Sequence, residues 1–119
     1  HFQAAPFEPH VSVRHHRIIV EDDAEAVGQA ERYLESIGQP HGEMVNILCY
    51  RDRAEGQLVI DIIRRKRHRP SFYGTGEGEM LLSPASVEMA GYLVVSRPVD
   101  YILLSLDVVS RMLEEVSYI

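Results

Sequence analysis

The sequence predicts an α+β fold in which a mostly antiparallel sheet carries two principal helices, and three observations predict it. Strand-like runs, the first of them rich in β-branched residues, recur at 11–20, 44–51, 57–67 and 91–96. Two other stretches repeat apolar residues at helical spacing, each entered through a residue able to cap a helix. The resulting order, β-α-β-β-(β)-β-α, fits helices packed on an antiparallel sheet.

Residues 4–10 hold Pro6 and Pro9 and read as an irregular connector. The run at 11–20 is the first strand. Glu21, Asp22 and Asp23 then supply the acidic start of a helix, capped by Asp22 or Asp23, whose apolar stripe is Val27, Ala30, Leu34 and Ile37. Gly38 and Pro40 stop it. Residues 44–51 and 57–67 form two strands joined by a polar connection ending in Gly56, which suits a hairpin. In the second of these, Leu58, Ile60 and Ile62 share one face while Val59, Asp61 and Ile63 share the other. That strand is therefore expected at the centre of the sheet, covered on both sides.

A basic run, Arg64 to Arg69, leads into a loop with glycines at 74, 76 and 78, and residues 80–82 can pair briefly with a neighbour. Pro84 suits a first helical position in a short turn. Residues 91–96 form a buried strand, and Pro98, Val99, Asp100 and Tyr101 lead into a last helix. Ser105 caps it, Asp107 lies in its first turn, and Val108, Val109, Met112, Leu113 and Val116 form one stripe.

A chain of 119 residues, 45% hydrophobic and 25% charged, has the size and composition of one compact domain with a hydrophobic core. No apolar run approaches the length of a membrane span, and no secretory leader pattern is present. The single Cys49 excludes an internal disulfide and most thiolate metal sites, so a cytoplasmic setting is the default. A formal charge of −6 argues against general affinity for nucleic acid or an anionic membrane. Any anion site must be local.

The run from Arg64 to Arg69 is one candidate. Strand alternation would aim Arg65, Arg67 and Arg69 together, and guanidinium groups grip phosphate oxygens in pairs. The alternative is a solvated strand end whose charges discourage edge pairing. The three glycines read as a hairpin loop or, with no helix opening behind them, less naturally as a phosphate cradle. His15 and His16 point to opposite faces of a strand and do not form a metal pair. Asp61 either pairs with an arginine of the same sheet or lies on an exposed edge. At the start, His1 and Gln3 are two residues apart, so in extended backbone an imidazole nucleophile and a carboxamide donor face one phosphoryl group.

Three segments, His1-Phe2-Gln3-Ala4, Arg65-Lys66-Arg67-His68-Arg69-Pro70-Ser71 and Leu82-Ser83-Pro84-Ala85-Ser86-Val87-Glu88-Met89-Ala90-Gly91, together resemble the histidine-triad-like nucleotidyltransferases and phosphorylases. That group includes galactose-1-phosphate uridylyltransferase, diadenosine tetraphosphate phosphorylase and GDP-hexose phosphorylase, and the likeness is to a branch common in Bacteroidetes. The family motif is His-x-His-x-Gln, whose second His attacks the α-phosphate of a nucleotide. By that match His1 is the catalytic nucleophile and Gln3 the catalytic donor to the phosphoryl oxygen, with Arg65, Arg67 and Arg69 as substrate-binding phosphate contacts.

The resemblance implies a nucleotide or nucleotide-sugar substrate and a phosphate or sugar-phosphate acceptor, with no metal and no cofactor. It also implies that 1–10 is the end of an upstream catalytic segment plus connector, and 11–119 a C-terminal histidine-triad-like half. The chain opens without the first His of the motif and without Met, so it is expected to be a fragment whose parent is an enzyme and which is inactive alone. The alternative expectation is a noncatalytic binding or dimerisation module of the same α+β fold, with a homodimer as its simplest assembly.

Overall fold

In the computed structural model, residues 3–6, 13–39, 41–42, 44–90 and 92–119 are described, 3–6 and 87 through their backbone alone. His1, residues 7–10 of the connector expected at 4–10, the first two residues of the strand expected at 11–20, Pro40 and Gly91 lie outside the described residues. In chain order the elements are β1 (Gln3–Pro6), β2 (His16–Val20), α1 (Asp23–Ser36), β3 (Val45–Arg51), β4 (Leu58–Arg64), α2 (Ser86–Met89), β5 (Tyr92–Val95), α3 (Pro98–Leu103) and α4 (Leu106–Val116). The fold is α+β, as expected.

The larger sheet has the order β2-β4-β3 and is antiparallel throughout. Its centre is β4, where Val59, Ile60, Asp61, Ile62 and Ile63 are all buried, as a run apolar on both faces demands. One face is covered by α1, which starts where the Asp22 carboxylate accepts the Glu25 amide at 3.2 Å. Ala26 and Ala30 pack with Ile18, Ile60 and Ile62, flanked by Tyr33 and Leu34.

The expected stripe on this helix holds at Ala30 and Leu34 but starts at Ala26 in place of Val27. Val27 is 46% exposed whereas Ala26 is 0% exposed. Ala26, Ala30, Tyr33 and Leu34 keep helical spacing, and the two small alanines let the helix approach the sheet where Val27 would hold it away.

A second hydrophobic cluster joins β5 to α4. Leu93 and Val95 pack with Val109, Met112 and Leu113, and Met80 and Leu82 close the cluster. Ser105 caps α4 by accepting the Val108 amide at 3.2 Å. Here the single sheet expected from sequence divides in two. β5 pairs antiparallel with β1, Gln3 opposite Val95 and Pro6 opposite Tyr92, so part of the expected connector is a strand. Pro6 ends that strand at a position where a missing N–H can be tolerated.

The two clusters are stitched by the tail that follows α4. The Arg14 amide donates to the Tyr118 carbonyl and the Lys66 amide to the Val116 carbonyl, each at 2.8 Å, and Arg65 bridges Ser117. This interception ends β4 at Arg64 rather than at 67. Among the described residues, no helix is long and apolar enough to cross a membrane.

Candidate functional site

The sequence-predicted site residues divide into three groups. His1 lies outside the described residues. Gln3 is the first residue of β1, in extended backbone opposite Val95. Arg65, Arg67 and Arg69 follow β4, beyond the last regular pairing of that strand, so the alternation that would aim them together is lost.

Arg65 turns inward and is 5% exposed. Its Nη1 donates to the Asn46 Oδ1 at 2.7 Å and the Pro84 carbonyl at 2.9 Å, and its Nη2 to the carbonyls of Arg67 at 3.1 Å and His68 at 2.8 Å. These four bonds tie the basic loop to the segment before α2 and to β3. Burial pushes the guanidinium below its ordinary pKa, with the Glu88 carboxylate opposing. Its Nε is buried without a hydrogen-bond partner among the described residues. The expectation of Arg65 as a phosphate contact is therefore replaced by a positioning role: its Nη donors are held by the chain itself.

Arg67 and Arg69 stay at the surface but diverge in their contacts. Arg67 reaches Glu115 at 3.4 Å, and the same Glu115 oxygen accepts the Ser71 amide at 3.0 Å. Arg69 lies over the Tyr73 ring at 4.1 Å, with its Nε 3.4 Å from the Ser83 hydroxyl. Arg111, on α4, lies over Phe72 at 4.8 Å and close to Glu115. Burial raises the Glu115 carboxyl, but Ser71 and the guanidiniums of Arg111 and Arg67 outweigh it and leave the group below its ordinary value.

The glycine loop carries its own anion. The Glu79 carboxylate accepts the Gly76 amide at 3.0 Å, and a Cβ at Gly74 would stand 2.6 Å from that carboxylate. The glycines thus make room for Glu79, which occupies a donor that a phosphate would need. That geometry fits a connecting loop.

Asp61 pairs as one of the two expectations had it. Directly opposite Arg17 in the β2/β4 register, it accepts two bonds, from Nε at 2.7 Å and from Nη2 at 2.9 Å. His16 stacks on Tyr33 with ring centroids 3.8 Å apart, while the His15 Nδ1 lies 3.3 Å from the Val13 carbonyl. Among the described residues no group of three His, Cys, Asp or Glu side chains could hold a metal ion.

Two constellations escaped the sequence reading. Asp100 is fully buried and accepts the Arg97 Nε at 2.8 Å, its Nη2 at 2.7 Å and the Leu81 amide at 3.3 Å. An acidic residue among Val99, Tyr101 and Ile102 was the available signal. The other is a pocket of about 250 Å³ at the end of the larger sheet, lined by Arg14, His15, His16, Tyr33, Arg64 and Tyr118. It joins residues more than a hundred positions apart, and no local pattern announces it.

Comparison of the chain with protein-family models, with curated proteins and with solved structures finds no match.

Proposed function

We propose that this chain is the C-terminal part of a nucleotidyltransferase or nucleotide phosphorylase that works through a covalent nucleotidyl-histidine, with His1 as nucleophile and Gln3 as donor. The observation that carries the reading is the extended backbone that begins at Gln3, paired along β1 with β5. Extended backbone continued through position 1, which lies outside the described residues, would turn both side chains of the His-x-Gln pair one way. The His1 nitrogen attacks the α-phosphorus, the N–P bond forms, and the bond to the leaving phosphate oxygen breaks with its electron pair. An oxygen of inorganic phosphate or a sugar phosphate then attacks the same phosphorus and the N–P bond breaks. No cofactor enters this scheme. Arg67 and Arg69 are the phosphate contacts of the proposal, with Arg65 holding their loop. The setting is cytoplasmic, and the chain is inactive without an upstream half that carries the first His of the motif.

The test is incubation of the full-length parent with nucleotides labelled at the α-phosphate. An acid-labile phosphoramidate on His1, absent after His1→Ala, is the expected result. No adduct across adenine, guanine and uracil nucleotides counts against the mechanism.

A second reading, a noncatalytic binding or dimerisation module, is favoured by one observation. Val99, Tyr101, Ile102, Leu103 and Leu106 are all about half exposed or more, a concentration of apolar surface on α3 and the start of α4. Sedimentation of the 119-residue chain at increasing concentration separates the readings: a dimer lost on Ile102→Glu supports the module.

A further inference from the structure

Where the tail meets the end of β4, two neighbouring side chains each carry a buried polar atom without a hydrogen bond. Arg65 and Ser117 stand directly opposite in an antiparallel bridge. The Lys66 amide donates to the Val116 carbonyl at 2.8 Å, which makes Arg65 and Ser117 a pair with no backbone bond between them, the kind whose side chains lie closest and on one side of the sheet. Both residues are buried, Arg65 at 5% exposure and Ser117 at 0%. Yet the Arg65 Nε and the Ser117 Oγ have no hydrogen-bond partner among the described residues.

A direct bond between them requires the guanidinium to turn. Its Nη1 is held by the Asn46 Oδ1 and the Pro84 carbonyl and its Nη2 by the carbonyls of Arg67 and His68, and because the group is planar these bonds also fix where the Nε–H points. Turning it toward Ser117 gives up bonds already made. A buried donor left unpaired carries the full desolvation penalty of its group, and an internal water with two or more polar partners is the usual means of avoiding it.

Neighbouring charges choose between water and an anion. The Glu88 carboxylate acts on the Arg65 guanidinium against the lowering by burial. Glu115, two residues before Ser117, brings a second carboxylate to the junction, where its Oε1 accepts the Ser71 amide at 3.0 Å. A bound anion would be repelled by both carboxylates. Water carries no charge and can donate as well as accept.

We propose that one internal water bridges the Arg65 Nε and the Ser117 Oγ as a fixed part of the junction between the basic loop and the tail. It accepts the Nε–H and shares a hydrogen bond with the hydroxyl, which satisfies both buried groups without moving the guanidinium. The site uses neither His1 nor Gln3 and stands whether or not the catalytic proposal does.

The test is a crystal structure of the 119-residue chain at a resolution that shows ordered water, from crystals grown in bromide. The expected result is one density peak without anomalous signal, at about 2.7–3.2 Å from both atoms. In solution, the Arg65 Hε should show a rotating-frame Overhauser cross-peak to water. Ser117→Ala removes one of the two partners and should abolish the density peak and the cross-peak, while the bonds from Arg65 to Asn46 and Pro84 remain. An anomalous bromide peak at the site, a direct bond from Nε to Oγ, a dry contact with no cross-peak, or a water unchanged in Ser117→Ala overturns the proposal.

Discussion

Arg17 and Asp61 form a two-point ion pair across β2 and β4, and they are unequally buried: the arginine side chain is 46% exposed and the aspartate 7%. The hydrogen bonding of the Arg17 guanidinium to the Asp61 carboxylate is the main cause that holds the Arg17 pKa above its ordinary value. Unequal burial makes the two truncations unequal. Arg17→Ala strands a buried carboxylate and should cost about 3 kcal/mol. Asp61→Asn leaves a guanidinium that water can reach and should cost about 1–2 kcal/mol. Urea unfolding of both variants and of the double mutant measures the difference, and equal costs would count against the asymmetry.

Acid should weaken the fold through Asp100. Its hydrogen bonds from Arg97 hold the carboxyl below the ordinary value of 3.8, against the opposing effect of burial, and the Leu81 amide adds to the lowering. A folded pKa below the unfolded one means that the unfolded chain binds protons first as pH falls. The stability Asp100 contributes is thus complete above the unfolded value and is lost as pH drops from there through the folded value. Glu115, also lowered from its ordinary 4.5, acts in the same direction. Asp100→Asn should be less stable than the parent at pH 7 by about 2 kcal/mol and lose less on going to pH 3. Thermal midpoints at both pH values decide it, and parallel acid profiles would remove Asp100 from the account.

Arg65 should be the residue on which the basic loop depends. Arg65→Met keeps length and apolar stem but leaves Asn46 and three backbone carbonyls without their donor, at a cost of about 3 kcal/mol. Arg65→Lys keeps the charge yet concentrates three donors on one atom, so an intermediate loss is expected. Amide exchange at Lys66 and Ser71 should accelerate in both, because their bonds to Val116 and Glu115 depend on the loop's path. Unchanged exchange in Arg65→Met would mean the loop is held by other contacts.

What could be read from the sequence is what depends on neighbours in the chain. The caps at Asp22 and Ser105, the β3/β4 hairpin and the central position of β4 follow from residues within a few positions of each other. The pairing of β1 with β5 joins segments about ninety residues apart, and the prolines of the first segment argued for a loop. Strand alternation placed Arg65 beside Arg67 and Arg69 because nothing local says that the tail after α4 would intercept β4 and draw Arg65 inside. The convergence of Arg14, Arg64 and Tyr118 on one pocket is of the same long-range kind. Conversely, Arg97 and Asp100 are three residues apart, and their pairing was available to a reading that expected an acid among apolar residues to be buried with a partner.

The face that α1 turns to the sheet gives the sharpest test of one such local misreading. Apolar spacing alone selects Val27 for the interface, whereas the structure places Ala26 there at 0% exposure and leaves Val27 at 46%. If Ala26 lies against Ile18, Ile60 and Ile62, then Ala26→Leu inserts a side chain where no space exists and should destabilise by about 2 kcal/mol. Val27→Ala removes mainly solvent-facing atoms and replaces a β-branched residue by a better helix former, so its effect should stay within about 0.5 kcal/mol. The stripe through Val27 predicts the reverse order: a costly loss at 27 and a tolerated gain at 26. Chemical denaturation of the two single variants discriminates, since the two helix orientations exchange the signs of the effects.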